Sequence, residues 1–158
     1  MRVSDGRIES ELRRLAGPVL EASGLELVEI RLKGSPGKQL VRLDIDRPGA
    51  EGVSLSDCQN VSRELGELLD AEDLMPGAYV LEVSSPGIDR PIRSADDVRR
   101  NTGRRIVVTV AGPDGKRGSR SGWLLGCENG EMRLRGDDRE EVRIALDEVV
   151  SARREVAF

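Results

Sequence analysis

The sequence predicts an α+β protein of two small domains. An N-terminal αββαβ domain, two helices on a three-stranded sheet, is followed by a small all-β barrel domain. Three observations carry this prediction. Up to Ser84 the hydrophobic spacing moves between the helical period of 3.6 and the strand period of 2, and after Gly103 it is purely that of strands. Between the two stretches lies a corner, Ser84-Ser85-Pro86-Gly87 and then Pro91, where a strand cannot continue and the backbone is fixed twice. The charge balance also changes sign there. Residues 1–91 carry 11 Lys and Arg against 17 Asp and Glu, a balance of −6, and residues 92–158 carry 14 against 12, a balance of +2. The boundary is therefore expected after Pro91, giving domains 1–91 and 92–158.

Each element has its own warrant. Ile8, Leu12, Leu15, Val19 and Ala22 fall at spacings of four, three, four and three, which predicts an amphipathic helix over 7–23 that stops at Gly24. Pro18 should kink that helix or split off its last turn. Val28, Ile30 and Leu32 alternate with charged residues. So do Val41, Leu43 and Ile45, beyond the turn Gly34-Ser35-Pro36-Gly37, and the two runs read as a hairpin with one buried face. Ser54 and Ser56 offer N-caps, with Asp57 or Gln59 three residues on, for a helix directing Cys58, Val61, Leu65, Leu68 and Leu69 inward. A strand begins at Tyr79, with Leu81 and Val83 on the same face and Val80, Glu82 and Ser84 on the other. Beyond Pro91, Ser94 and Asp97 form a capping box for a short helix that ends before Gly103. Five short strands follow, marked by Ile106 to Val110, Trp123 and Leu125, Met132 and Leu134, Val142 and Ile144, and Ala152 to Val156. An open sheet of that size leaves both edges unprotected, so a small closed barrel is expected.

Composition narrows function by what it lacks. The 158 residues contain no histidine, which removes the commonest general base near neutral pH, the Ser-His and Cys-His pairs and most zinc sites. One Trp, one Tyr and one Phe leave few rings for stacking on bases. No apolar run reaches the eighteen or so residues of a membrane span, and the two cysteines, Cys58 and Cys127, lack ligand spacing. A cytoplasmic protein with no cofactor and no metal is expected, and enzymology, though not excluded, has lost its easiest routes.

Asp44 and Asp46 lie on one face of a strand, roughly 6 to 7 Å apart, as a Mg²⁺ site or acid/base pair requires. They equally resemble an exposed strand face neutralised by Arg42 and Arg47. Ser84-Ser85-Pro86-Gly87 has neither the glycines of a nucleophile elbow nor the lysine of a phosphate loop. The strongest binding signal is basic. Arg90, Arg93, Arg99, Arg100, Arg104 and Arg105 crowd one short stretch against Asp89, Asp96 and Asp97. Lys116, Arg117 and Arg120 decorate the hairpin after it. Such residues contact phosphates, or stand solvated beside local carboxylates. Arg139, in a separate exposed turn, is read as outside this set. Only three of the 25 basic residues are lysine, a bias that genome composition explains as well as bidentate phosphate contact does.

The run Leu81-Glu82-Val83-Ser84-Ser85-Pro86-Gly87-Ile88-Asp89-Arg90-Pro91 resembles the signature of the bacterial ribosome maturation factor RimP family. The likeness extends to Gly24-Leu25-Glu26-Leu27-Val28, Leu43-Asp44-Ile45-Asp46, Ser54-Leu55-Ser56-Asp57-Cys58, Val61-Ser62, Leu69-Asp70 and Gly130-Glu131-Met132. It covers roughly residues 10–155, with Ile88 where the family usually has leucine. The resemblance implies a Sm/SH3-like C-terminal barrel and a non-enzymatic factor that binds the small (30S) ribosomal subunit or its precursors during biogenesis. The partners it implies are 16S rRNA and a small-subunit ribosomal protein held by the barrel domain. Within it, Ser84, Ser85, Pro86, Gly87, Asp89, Arg90 and Pro91 form the interdomain signature. An RNA-binding module acting alone through Arg90 to Arg105 is the alternative.

Overall fold

The computed structural model describes residues 5–86 and 90–155. The chain divides into two compact units, Met1–Arg47 with Gly52–Pro86, and Pro48–Glu51 with Gly87–Phe158.

In the first unit the order is α1 (Asp5–Ala22), β1 (Glu26–Lys33), β2 (Gln39–Asp46), α2 (Leu55–Glu72) and β3 (Tyr79–Ser84). The sheet order is β1-β2-β3, with β1 antiparallel and β3 parallel to β2. Central β2 therefore carries Val41, Leu43 and Ile45 into the core, all with no measurable exposure. Ile8, Leu12 and Leu20 of α1 and Val61, Leu65 and Leu69 of α2 close over them in one hydrophobic cluster. Such a side chain, fully buried, stabilises by about 1.5–3 kcal/mol.

Helix α1 runs through Pro18 as one helix and is not split. Leu20 is buried, four residues after buried Ala16, whereas Ala22, expected inward, is exposed. The proline removes one hydrogen bond from the ladder without ending the helix. The helix closes with Leu25 N–H donating to the Leu20 carbonyl and Gly24 N–H to Glu21, a Schellman arrangement that uses positive φ at Gly24. Helix α2 begins at the Ser54–Asp57 capping box. Asp57 is further gripped by Arg47, whose Nη1 lies 2.6 Å from its carboxylate. Arg47 and the hydrogen bonds at Ser54 hold that carboxyl well below the usual range.

The second unit contains α3 (Ala95–Asn101), β4 (Arg105–Ala111), β5 (Arg117–Glu128), β6 (Glu131–Arg135), β7 (Glu141–Ala145), a 3-10 turn (Leu146–Glu148) and β8 (Val149–Arg154). Its strands form one antiparallel sheet in the order β7-β6-β5-β4-β8. Among the described residues no ladder joins the edges β7 and β8, so pairing alone does not close the sheet. Ile106, Val108, Leu124, Met132, Leu134, Ile144 and Ala152 form its core, with Ile92 and Val98 packed in. Asn129 and Gly130 both take positive φ in the two-residue turn from β5 to β6, as the sequence requires of a tight hairpin.

One register expectation fails in this unit. Trp123 and Leu125 were expected to mark one face of a strand, but a bulge between Leu124 and Gly126 makes Leu125 the extra residue. Leu124 becomes the core side chain, and Trp123 is 45% exposed. The last strand ends at Arg154, and Val156 of the expected strand lies outside the described residues.

Candidate nucleic-acid interface

The signature corner is described in part. Ser84 ends β3, donates from Oγ to the Ser85 carbonyl at 3.2 Å, and lines a groove of about 590 Å³ with Arg42, Cys58, Ser62, Leu81 and Val83. Ser85 is exposed and Pro86 buried, Arg90 is half-buried and Pro91 exposed. Gly87 and Asp89 lie outside the described residues.

The basic stretch beyond the corner separates into two kinds of arginine. Arg100 is buried, and its Nη2 lies 2.7 Å from Asp97 Oδ1 with both side chains about nine-tenths covered. Asp97 also accepts from the backbone N–H groups of Arg93 and Ser94. Burial opposes its ionisation, but these donors and Arg100 outweigh that and hold the carboxyl below its ordinary value. Arg104 donates to the Gly49 carbonyl at 2.7 Å and to Asn101 at 3.2 Å. Arg105 grips Asp137 with two nitrogens, at 2.6 and 3.2 Å, and Glu155 with a third. The hydrogen bonds to Asp137 and then Glu155 raise its pKa further. Arg99 pairs with Asp96 at 3.5 Å on the exposed side of α3. Four of the six arginines counted as a cluster are therefore engaged inside the second unit. The sequence places them near one another without disclosing which carboxylates fold back onto them.

The hairpin residues behave differently. Lys116, Arg117 and Arg120 are exposed, as is Arg93, and among the described residues their side chains form no ion pair. Arg135, not considered in the sequence reading, and Arg139, read there as outside the set, share that condition. Their significance depends on register, which composition cannot show. On the outer face, Arg105 of β4, Trp123 of β5 and Arg135 of β6 are successive cross-strand partners. The Arg105 guanidinium lies 5.9 Å from the Trp123 ring centroid. Arg139, read from the sequence as an exposed turn residue apart from the site, lines a depression of about 630 Å³ with Trp123, Arg135, Gly136 and Asp137.

The acidic pair has a closed environment. Asp44 and Asp46 are buried, at 4% and 2% exposure, and do not form the open strand face anticipated from alternation. On the central strand, Asp44 lies between Glu29 of β1 and Ser84 of β3, and Asp46 is paired with Glu26 of β1. Arg42 Nε stands 3.3 Å from Asp44, as expected, and Arg47 meets Asp46 through its backbone N–H while its guanidinium holds Asp57. Cys58 and Cys127 both have raised thiol pKa values caused by burial, which keeps them protonated at neutral pH.

A helix-covered three-stranded unit and a five-stranded antiparallel unit together define a two-unit α+β protein. Residues 15–89 match the model of the RimP N-terminal domain. This match over 15–89 supports the RimP family, a family of ribosome maturation factors. The matched stretch spans most of the first unit, from Leu15 in α1 to the end of the Ser84-to-Asp89 corner. Among the described residues, no helix is long and apolar enough to cross a membrane.

Proposed function

We propose that this protein is a non-enzymatic assembly factor that binds the small (30S) ribosomal subunit or its precursors during biogenesis, as a cytoplasmic monomer. The observation that carries the reading is the RimP N-terminal domain over 15–89, whose last residues are those of the signature corner. The chain acts as two domains meeting near Pro86 to Pro91. The second is a Sm/SH3-like barrel, a reading supported by its strand order and by the single 3-10 turn that links its edge strands β7 and β8. This barrel domain holds a small-subunit ribosomal protein and 16S rRNA. Its Arg93, Lys116, Arg117 and Arg120 supply phosphate contacts, and Arg90 with its neighbours in the corner sets the relation of the two domains. Binding energy favours one arrangement of the partner over others with no covalent change, and the factor leaves once the mature surface no longer fits.

Sucrose gradients probed for the protein test this. Co-migration with small subunits or their precursors, and a changed ratio of subunits to whole ribosomes when the protein is absent, are the expected results. Absence of the protein from those fractions together with an unchanged ratio contradicts the reading.

A further inference from the structure

We infer that Trp123, Arg135 and Arg139 form a binding site for one unpaired nucleotide of single-stranded RNA, with the base on the indole and its flanking phosphates on the two guanidinium groups. This deepens the proposed function and rests on it for the source of the RNA, the small-subunit precursor. Three features of the second unit support it.

The first is the indole itself. Trp123 is a large apolar residue 45% exposed on a sheet face, positioned by neighbours on both sides. Its outward direction follows from alternation, since Gly122 and Leu124 on either side are buried. A Cβ on Gly122 would lie 2.8 Å from the Arg135 carbonyl oxygen. Arg105, over the ring, is immobilised by Asp137 and Glu155, so the platform is stiff before any ligand arrives.

The second is charge. The depression of about 630 Å³ beside the ring is lined by Arg135 and Arg139 and by one carboxylate, Asp137, already held by Arg105 through two hydrogen bonds. Among the described residues the side chains of Arg135 and Arg139 make no ion pair. Two planar forks beside one aromatic face suit a base between two phosphates, since guanidinium binds phosphate oxygens bidentately and indole stacks on any base.

The third is backbone. Arg139 takes φ +68 in the turn from β6 to β7, a left-handed conformation that a side-chain-bearing residue rarely adopts. The turn is fixed by Arg139 N–H to the Gly136 carbonyl, Gly136 N–H to the Glu140 carbonyl and Glu140 N–H to Asp138 Oδ1. It therefore presents Arg139 at the mouth of the depression in a set position.

Trp123 is the single tryptophan of the chain, so its emission reports on this site alone. The full chain is titrated with a short unstructured RNA, with an abasic oligomer of the same backbone, and with an acidic peptide. The RNA is expected to quench the emission, and the abasic oligomer and the peptide to leave it nearly unchanged. In anisotropy measurements on labelled RNA, Trp123→Ala is expected to weaken binding about 5- to 150-fold, the range of one lost base stack, and Trp123→Phe to restore much of it. Arg135→Gln and Arg139→Gln are each expected to lower the salt slope by about one phosphate contact. Unchanged urea midpoints confirm that the variants remain folded. The inference is overturned if RNA binds without altering the emission, if the abasic oligomer binds equally well, if the peptide quenches where RNA does not, or if RNA fails to bind at low salt. Sedimentation of the unaltered protein with small-subunit precursors separates the two ideas. Co-migration with no emission change on RNA removes only the nucleotide site, and absence of co-migration removes the assembly reading whatever the oligomers do.

Discussion

The arginines of α3 and the start of β4 and those on β5 to the β6–β7 turn are the same residue type in the same unit, yet they have opposite fates. Arg100, Arg104 and Arg105 are spent on Asp97, Gly49, Asp137 and Glu155, whereas Arg117, Arg120, Arg135 and Arg139 face solvent with no ion pair among the described residues. What separates them is the nearest carboxylate. A capping-box aspartate lies one turn before Arg100, and two acidic residues distant in sequence, Asp137 and Glu155, fold onto Arg105. Arginine density is therefore a poor guide to a binding surface. A guanidinium satisfied within its own unit has to break a buried or bidentate bond before it reaches a phosphate.

The largest effect that tests this contrast is on stability. Asp97→Ala leaves the buried Arg100 charge without its partner and removes the capping box of α3, and is expected to cost the second unit about 3–5 kcal/mol in urea unfolding. The same group makes a pH prediction. Its folded pKa is depressed, so its contribution is fully present above the unfolded value of about 4 and is lost as pH falls through the lower folded value. Acid unfolding of the second unit is thus expected to begin at higher pH in Asp97→Ala, monitored by emission of Trp123. An unchanged acid limb removes the structural role assigned to that pair. Next in size, Gly122→Ala forces a Cβ to within 2.8 Å of the Arg135 carbonyl oxygen and is expected to destabilise by about 1–3 kcal/mol. Ser54→Ala removes one capping bond of α2 in the other unit and is expected to cost about 1 kcal/mol, leaving the Trp123 signal of the second unit in place. Smallest is the triple change Lys116→Gln, Arg117→Gln and Arg120→Gln, expected to move stability by no more than about 0.5 kcal/mol per site. A large loss of stability there would place the hairpin cations with the engaged arginines and erase the distinction.

Much of the architecture was legible before the structure. Both capping boxes, the Gly24 stop, the hairpin turns, the inward residues of β2 and, Leu68 apart, those of α2 follow from local rules, and local rules are what a sequence displays. Two of the failures share a cause. A bulge at Leu125 made Leu124 the core side chain, and Asp44 lies between partners on both neighbouring strands. Each was decided by one extra residue or by a neighbour distant in sequence, whereas nothing in the structure explains why Ala22 faces outward. The candidate interface was legible only as a density of arginine, because Asp137 and Glu155 reach Arg105 from 32 and 50 residues away.

Matched charge removal on isolated small-subunit precursors tests the contrast most directly. One variant changes Arg117, Arg135 and Arg139 to Gln, and the other changes Arg99, Arg100 and Arg104 to Gln with folding checked by urea midpoint. The account predicts that the first loses co-sedimentation with a reduced salt dependence at unchanged stability, and that the second loses stability while its folded fraction binds as the parent does. Loss of binding by the folded second variant, with the first binding normally, would contradict it.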